Sequence, residues 1–313
     1  MEKTNNKVRE DDVNTQNKKE TNREMFAGYQ KVELVYHQMD ITFPMIVMYP
    51  TCTPEKTERL GPYYLDISRN ATAQKGTFPL VLISHGSGSS PLVYRTLARH
   101  LARNGFIVGM PEHPFNNRNN NTMERTVENL IHRPRLIRTA IDWFFNSMDF
   151  AEILKPDAVS IIGHSMGGYT ALAAAGGIPT SFPYESKDGQ SHLIHVTPDS
   201  RIKSLVLLAP ASVWFKAKGA LKGVNIPILM FVGEKDEHTP SFHAQIILEG
   251  VSDKMKIQYR IIKNAGHFSF LSSFPESMIN VTFPPSQDPD GFNRESFHKK
   301  LNAEVLDFLL HNT

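Results

Sequence analysis

Val159-Ser160-Ile161-Ile162-Gly163-His164-Ser165-Met166-Gly167-Gly168 is the stretch that decides the fold. It opens as an apolar, β-branched run and reads as a buried strand. It then turns sharply through Gly163 to Gly167, and an Ala-rich helix follows from Tyr169 to Ala175. Strand, G-x-S-x-G turn and helix together place Ser165 at a strained backbone position with its hydroxyl exposed. The glycines two residues either side remove side chains that would collide with the neighbouring strand and helix. The helix starts just after Ser165, so its first amides and the positive end of its dipole face any negative charge developing there. The arrangement is a nucleophile elbow; the plainer reading is a strand-to-helix turn with a chance serine.

Working outward, apolar runs alternate with helical patterns from residue 78 onward. Phe78 to Ser84, Gly105 to Pro111, Ile202 to Leu208, Ile226 to Val232 and Lys256 to Ile262 read as strands. Pro91 to Asn104, Met123 to Phe150, Ser241 to Gly250 and Arg294 to Leu310 read as helices, the second broken or kinked at Pro134. Such alternation predicts a mostly parallel sheet with helices on both faces. Upstream, Lys31 to Tyr36 and Ile41 to Tyr49 predict an N-terminal hairpin. Thr51 to Gly76 reads as a surface loop. The segments 112–135 and 179–199 are irregular and are expected to form a partial lid. The fold class is therefore α/β, with one domain over 28–313.

Bulk properties narrow the function. The chain has 313 residues, enough for one large core. Its net charge of +2 makes no electrostatic case for nucleic acid or an anionic membrane. No run approaches the roughly 20 apolar residues of a membrane helix. The single cysteine, Cys52, has no partner for an internal disulfide and is read as structural. Residues 1–27 form a polar segment without the apolar core of a signal peptide, and are expected to be a disordered tail. A cytoplasmic location is the expectation that follows, with oligomeric state left open.

Chemistry collects after the strands, where sheets of this kind bind ligands. A serine hydroxyl is a weak nucleophile near neutral pH. It needs a base, a group that orients the base, and donors for the oxyanion. The base candidate is His267, after the last core strand. The acid candidate is Asp236, after Ile226 to Val232, with Glu234 and Glu237 as close rivals. The oxyanion donors are the backbone amides of Met166 and of Ser87, the latter preferred over Gly86 in the loop His85 to Ser90. His85, Gly86, Phe115 and Trp214 are candidate substrate-binding residues; Phe182, Tyr184 and Phe215 are further aromatic candidates. His192 with His195, and His238 with His243, lack the paired spacing of a closed zinc site, so no metal is expected.

These stretches resemble a known group: the α/β-hydrolases grouped as predicted dienelactone hydrolases, with the bacterial relatives of platelet-activating-factor acetylhydrolase. The likeness is carried by Met48-Tyr49-Pro50, by Leu82 to Gly88, and by His132-Arg133-Pro134-Arg135 leading to Asp142. Gly163 to Gly168, Ala265-Gly266-His267-Phe268, Gly291-Phe292, Phe297-His298 and Leu301-Asn302 complete it. It covers roughly residues 28 to 313. It implies an α/β-hydrolase fold and a cofactor-free serine hydrolase acting on small-molecule esters, with the roles falling on Ser165, Asp236, His267, Met166 and Ser87. The chain order serine, acid, histidine agrees.

Two departures matter. True dienelactone hydrolases carry cysteine at the elbow, where this chain has Ser165. The acetylhydrolases place their acid just after the strand following the elbow; here Leu207-Leu208-Ala209-Pro210 has none, which favours Asp236. The expected reaction is carboxylic ester cleavage through an acyl-enzyme on Ser165. A xenobiotic, antibiotic or lipid ester would all fit. Acyltransferase, perhydrolase or amidase chemistry on the same triad, or a non-catalytic binding protein, are the alternatives.

Overall fold

A computed structural model of the chain describes residues 24–313. Ten strands form one sheet: β1 (Phe26–Tyr36), β2 (Ile41–Thr51), β3 (Lys56–Leu60), β4 (Tyr63–Arg69), β5 (Phe78–Ser84), β6 (Ile107–Pro111), β7 (Leu154–His164), β8 (Ile202–Leu208), β9 (Ile228–Gly233) and β10 (Ile257–Ile262). Five helices accompany them: α1 (Arg95–Ala102), α2 (Val127–Asn146), α3 (Met166–Ala174), α4 (Phe242–Gly250) and α5 (Arg294–Asn312). The strand order is β10-β9-β8-β7-β5-β6-β2-β1-β4-β3. β5 to β10 run parallel, while β1–β2 and β2–β6 are antiparallel. The expected sheet and N-terminal hairpin are both present.

Successive side chains of a strand point to opposite faces, and the core divides accordingly. Leu80 and Leu82 of β5, with Val159 and Ile161 of β7, join α2, α3 and α4 on one face. Val81 and Ile83 of β5, with Ile162 of β7, join α1 and α5 on the other. Parallel strands covered on both faces must be apolar at nearly every position, and β6 is buried at all five of its residues. That layout leaves the carboxyl ends of β5, β7, β9 and β10 open along one edge, where the loops gather.

Three local expectations are corrected. Thr51 to Gly76 is no loop: β3 and β4 pair antiparallel around Gly61, which has φ +61. Tyr63, Leu65 and Ile67 alternate inward against the α1 face, and Tyr64 and Asp66 point out. The tail ends earlier than residue 27, because Phe26 and the fully buried Ala27 already lie in β1. Residues 1–23 of that expected tail lie outside the described residues. Cys52 is exposed, so its reading as a structural cysteine fails.

Pro134 does not break its helix; α2 runs through it without interruption. A proline there removes the N–H that would bond the Leu130 carbonyl. The buried Tyr169 of α3 supplies the missing donor, its hydroxyl lying 2.9 Å from Leu130 O. The helix therefore keeps its proline because a neighbouring helix fills the vacated bond.

Candidate active site

β7 delivers the serine. Ser165 follows its last residue with φ 53 and ψ −119, a backbone state rarely adopted by a side-chain-bearing residue. The conformation is pinned from three sides. Ser165 N–H donates to Leu208 O at 3.0 Å, and its carbonyl accepts from Gly168 N–H and Ala211 N–H at 2.8 and 2.9 Å. The flanking glycines are required sterically. A Cβ on Gly163 would stand 2.2 Å from Gly167 O, and one on Gly167 would stand 1.9 Å from Ser84 O.

β9 and β10 deliver the acid and the base. His267 Nδ1 lies 2.9 and 3.1 Å from the two Asp236 carboxylate oxygens, and both residues are buried. Because the carboxylate only accepts, Nδ1 carries the proton, and Nε2 is left with its lone pair. Asp236 also accepts the backbone N–H groups of His238 and Thr239 at 2.9 and 2.8 Å, and the Thr239 hydroxyl at 2.7 Å. Burial pushes its carboxyl up, but the bonds from His267 and Thr239 outweigh it and hold the group at about 2. The geometry discriminates among the rival acids. Glu234 is exposed and bonds the Asn264 N–H instead, and Glu237 is exposed.

Ser165 and His267 line the same cavity of about 620 Å³. No hydrogen bond joins the Ser165 hydroxyl to His267 among the described residues. Contacts of this type are often loose until substrate tightens them.

β5 delivers the third part. Its loop packs against the nucleophile: a Cβ on Gly86 would lie 3.3 Å from Ser165 Cβ. Gly86, Ser87 and Met166 line the cavity. Among the described residues, the N–H groups of Ser87 and Met166 have no protein acceptor. Gly86 N–H is committed to the Tyr94 hydroxyl at 3.4 Å, which supports the preference for Ser87.

His85 is corrected. It does not line the cavity; it is fully buried beneath the loop. Its Nδ1–H donates to the Gly86 carbonyl at 2.7 Å, and its Nε2 accepts the His113 N–H at 3.0 Å. In a trans peptide the carbonyl and the next N–H point opposite ways. Fixing Gly86 O therefore aims the Ser87 N–H. Burial first, then the nearby Arg133 charge, lowers His85 to about 3 and keeps it neutral. Phe115 is the second correction, since it too stands outside the cavity lining. Gly86, Trp214 and Tyr184 do line it, whereas Phe215 is core, stacked on Tyr169.

Several site residues have supporting roles that no sequence pattern assigns. Arg133 is fully buried and has no carboxylate partner among the described residues. It donates to Thr170 Oγ1 at 2.9 Å, to Asn116 Oδ1 at 2.6 Å and to the His85 carbonyl. Burial lowers it to about 9. His164 braces the elbow: Nε2–H donates to the His267 carbonyl at 3.0 Å, and Nδ1 accepts from Tyr94 at 2.9 Å. Burial, then His267, lowers His164 to about 3. The segments 112–135, 179–199 and 272–291 all contribute to the cavity wall, through Arg118, Arg125, Glu185, Phe274 and Phe283 among others. Among the described residues, no group of three His, Cys, Asp or Glu is placed to hold a metal ion. No helix among them is long and apolar enough to cross a membrane.

Comparison with known proteins agrees with this architecture. A family model described as alpha/beta hydrolase fold matches residues 79–223. No curated protein matches the chain in sequence. Among solved structures, the chain is similar to a ferulic acid esterase from Streptomyces cinnamoneus at TM-score 0.68 and 14% identity, covering 94% of this chain and 91% of the other. It is also similar to a dienelactone hydrolase from Anabaena variabilis at TM-score 0.55 and 17% identity, covering 91% and 98%. At such identities the likeness is one of fold.

Proposed function

We propose that this chain, which has the α/β-hydrolase fold, is a serine hydrolase that cleaves carboxylic esters through an acyl-enzyme on Ser165. The observation that carries the reading is that His267, bonded behind to Asp236, lines the same cavity as a strained Ser165. His267 Nε2 takes the Ser165 proton as the hydroxyl oxygen attacks the ester carbonyl. Asp236 keeps the imidazole in the required tautomer and stabilises the imidazolium that forms. The N–H groups of Met166 and Ser87 receive the negative oxygen of the tetrahedral intermediate. His267 then returns the proton to the leaving alcohol, and afterwards activates the water that releases the acid.

A readily reduced steric demand makes a short-chain p-nitrophenyl ester the first assay. Purified protein should release p-nitrophenol, and Ser165→Ala should lower kcat by at least about 10³-fold with the thermal melt retained. Undiminished turnover in Ser165→Ala sinks the assignment. Labelling of Ser165 by a fluorophosphonate separates an active hydrolase from a binding protein on the same fold.

A further inference from the structure

Glu185 is a buried carboxylate that the proposed mechanism does not use. It lines the catalytic cavity and is only 6% exposed. Its oxygens accept the Phe182 N–H at 2.7 Å and share the Trp214 Nε1–H at 3.0 Å each. Both donors are neutral. No Lys, Arg or His stands within ion-pair distance among the described residues; the nearby Lys187 pairs with Glu128 instead, at 3.6 Å. A buried carboxylate normally has a cation or a fuller set of donors, because desolvating it is costly. Burial accordingly raises its proton affinity above the ordinary carboxylate range.

The cavity lining holds a second polar group. The Lys187–Glu128 pair ties the 183–187 turn to the first turn of α2, and Tyr169, close enough to feel the Glu185 charge, reaches Leu130 of α2 with its hydroxyl. Asn129 lies there, buried and facing the cavity, and its side-chain amide makes no protein hydrogen bond among the described residues. Around the two stand Trp214, Tyr184, Val213 and Leu130, which form an otherwise apolar wall. The charged groups Arg118, Glu124 and Arg125 also line the cavity but are exposed, at its mouth.

We propose that Glu185, with Asn129 on the same wall, is a substrate subsite that receives an O–H or N–H donor carried by the ester. The preferred substrates are then esters bearing a hydroxyl or an ammonium group away from the scissile bond. The inference rests on the serine-esterase reading above. A rival role for Glu185 is purely structural, anchoring Trp214 and the 179–199 segment.

The test uses matched ester pairs that differ only by a hydroxyl, or only by a primary ammonium, placed on the acyl side in one series and on the alcohol side in another. The readout is the ratio of kcat/KM for the donor-bearing ester over its donor-free twin, measured on one protein, so that any general loss cancels. The intact protein should show a ratio of about 10 to 100 in one series, the factor a hydrogen bond to a charged group supplies. Glu185→Leu should bring it close to 1. If Glu185→Leu does not fold, Glu185→Gln carries the test: it should remove preference for ammonium and weaken preference for hydroxyl, and the arm that responds names the group. A ratio near 1 in every series, or one unchanged by both substitutions, overturns the proposal. Ketone isosteres of the same pairs, titrated calorimetrically into Ser165→Ala, should bind with a similar discrimination. That arm keeps the subsite testable if no ester is turned over, which would count against the esterase reading instead.

Discussion

At the scale of single residues, the elbow is a steric construction: the backbone around Ser165 closes only where its neighbours lack side chains. Ser165 announced itself because its neighbours must be glycine; the clash distances at Gly163 and Gly167 show why. Chain order and strand ends single out His267 and Asp236, and the fold brings the two side chains to 2.9 Å. His85 stands out in the sequence, but only the fold shows that this loop histidine lies beneath the cavity and does not face it. Its ring aims one peptide, so its substitution should change the rate more than binding. His85→Asn keeps a donor near the Nδ1 position and should retain most activity. His85→Gln loses that donor and should lower kcat by up to about 100-fold with little change in KM, since a misdirected oxyanion donor stabilises the transition state less. Equal losses in both variants would show that His85 does not act through the Gly86 carbonyl. Arg133 and His164 stand in stretches that carry the resemblance and Glu185 outside them, but their roles depend on partners distant in sequence, Asn116, His267 and Trp214, and burial leaves no local pattern.

Elements were legible where periodicity was strong. The parallel strands and their helices emerged near their true positions because a doubly covered strand is apolar throughout. β3 and β4 were lost because polar and charged residues on their outer face hid a modest alternation at Tyr63, Leu65 and Ile67. An interior proline is costly and predicts a break or a kink at Pro134; α2 nonetheless runs unbroken, and the compensating donor comes from another helix. That compensation is testable. Tyr169→Phe should leave the buried Leu130 carbonyl without a donor and destabilise the fold by about 1–3 kcal/mol in urea unfolding. Adding Pro134→Ala restores the N–H that belongs to Leu130 and should recover much of the loss. Two additive costs would refute the account.

For the whole molecule, the buried histidines set the response to acid. Burial lowers His85 and His164 to about 3, and His243 and His298 to about 4, against an ordinary value of 6.5. Over that interval the folded state stays neutral while the unfolded chain takes up protons, so acid favours unfolding. Asp236 adds to the same trend lower down: its carboxyl, held at about 2 against 3.8, contributes stability above 3.8 that is lost as the pH falls through about 2. Thermal melts between about pH 7 and pH 4 should therefore show a steadily falling Tm. A flat Tm across that range would mean that these rings protonate inside the fold.

The strand order has a further consequence, for the making of the protein. Ser165 follows a strand in the middle of the sheet, while His267 follows the strand at its far edge. During synthesis Ser165 leaves the ribosome roughly a hundred residues before His267, a delay of about 5 to 20 s at bacterial rates of synthesis. Within that interval, from its own synthesis until that of β9, β8, buried at Leu205, Val206, Leu207 and Leu208 in the finished sheet, has an unpaired edge. The nascent chain thus presents an apolar strand edge until β9 is made, before the last residue of the candidate site exists.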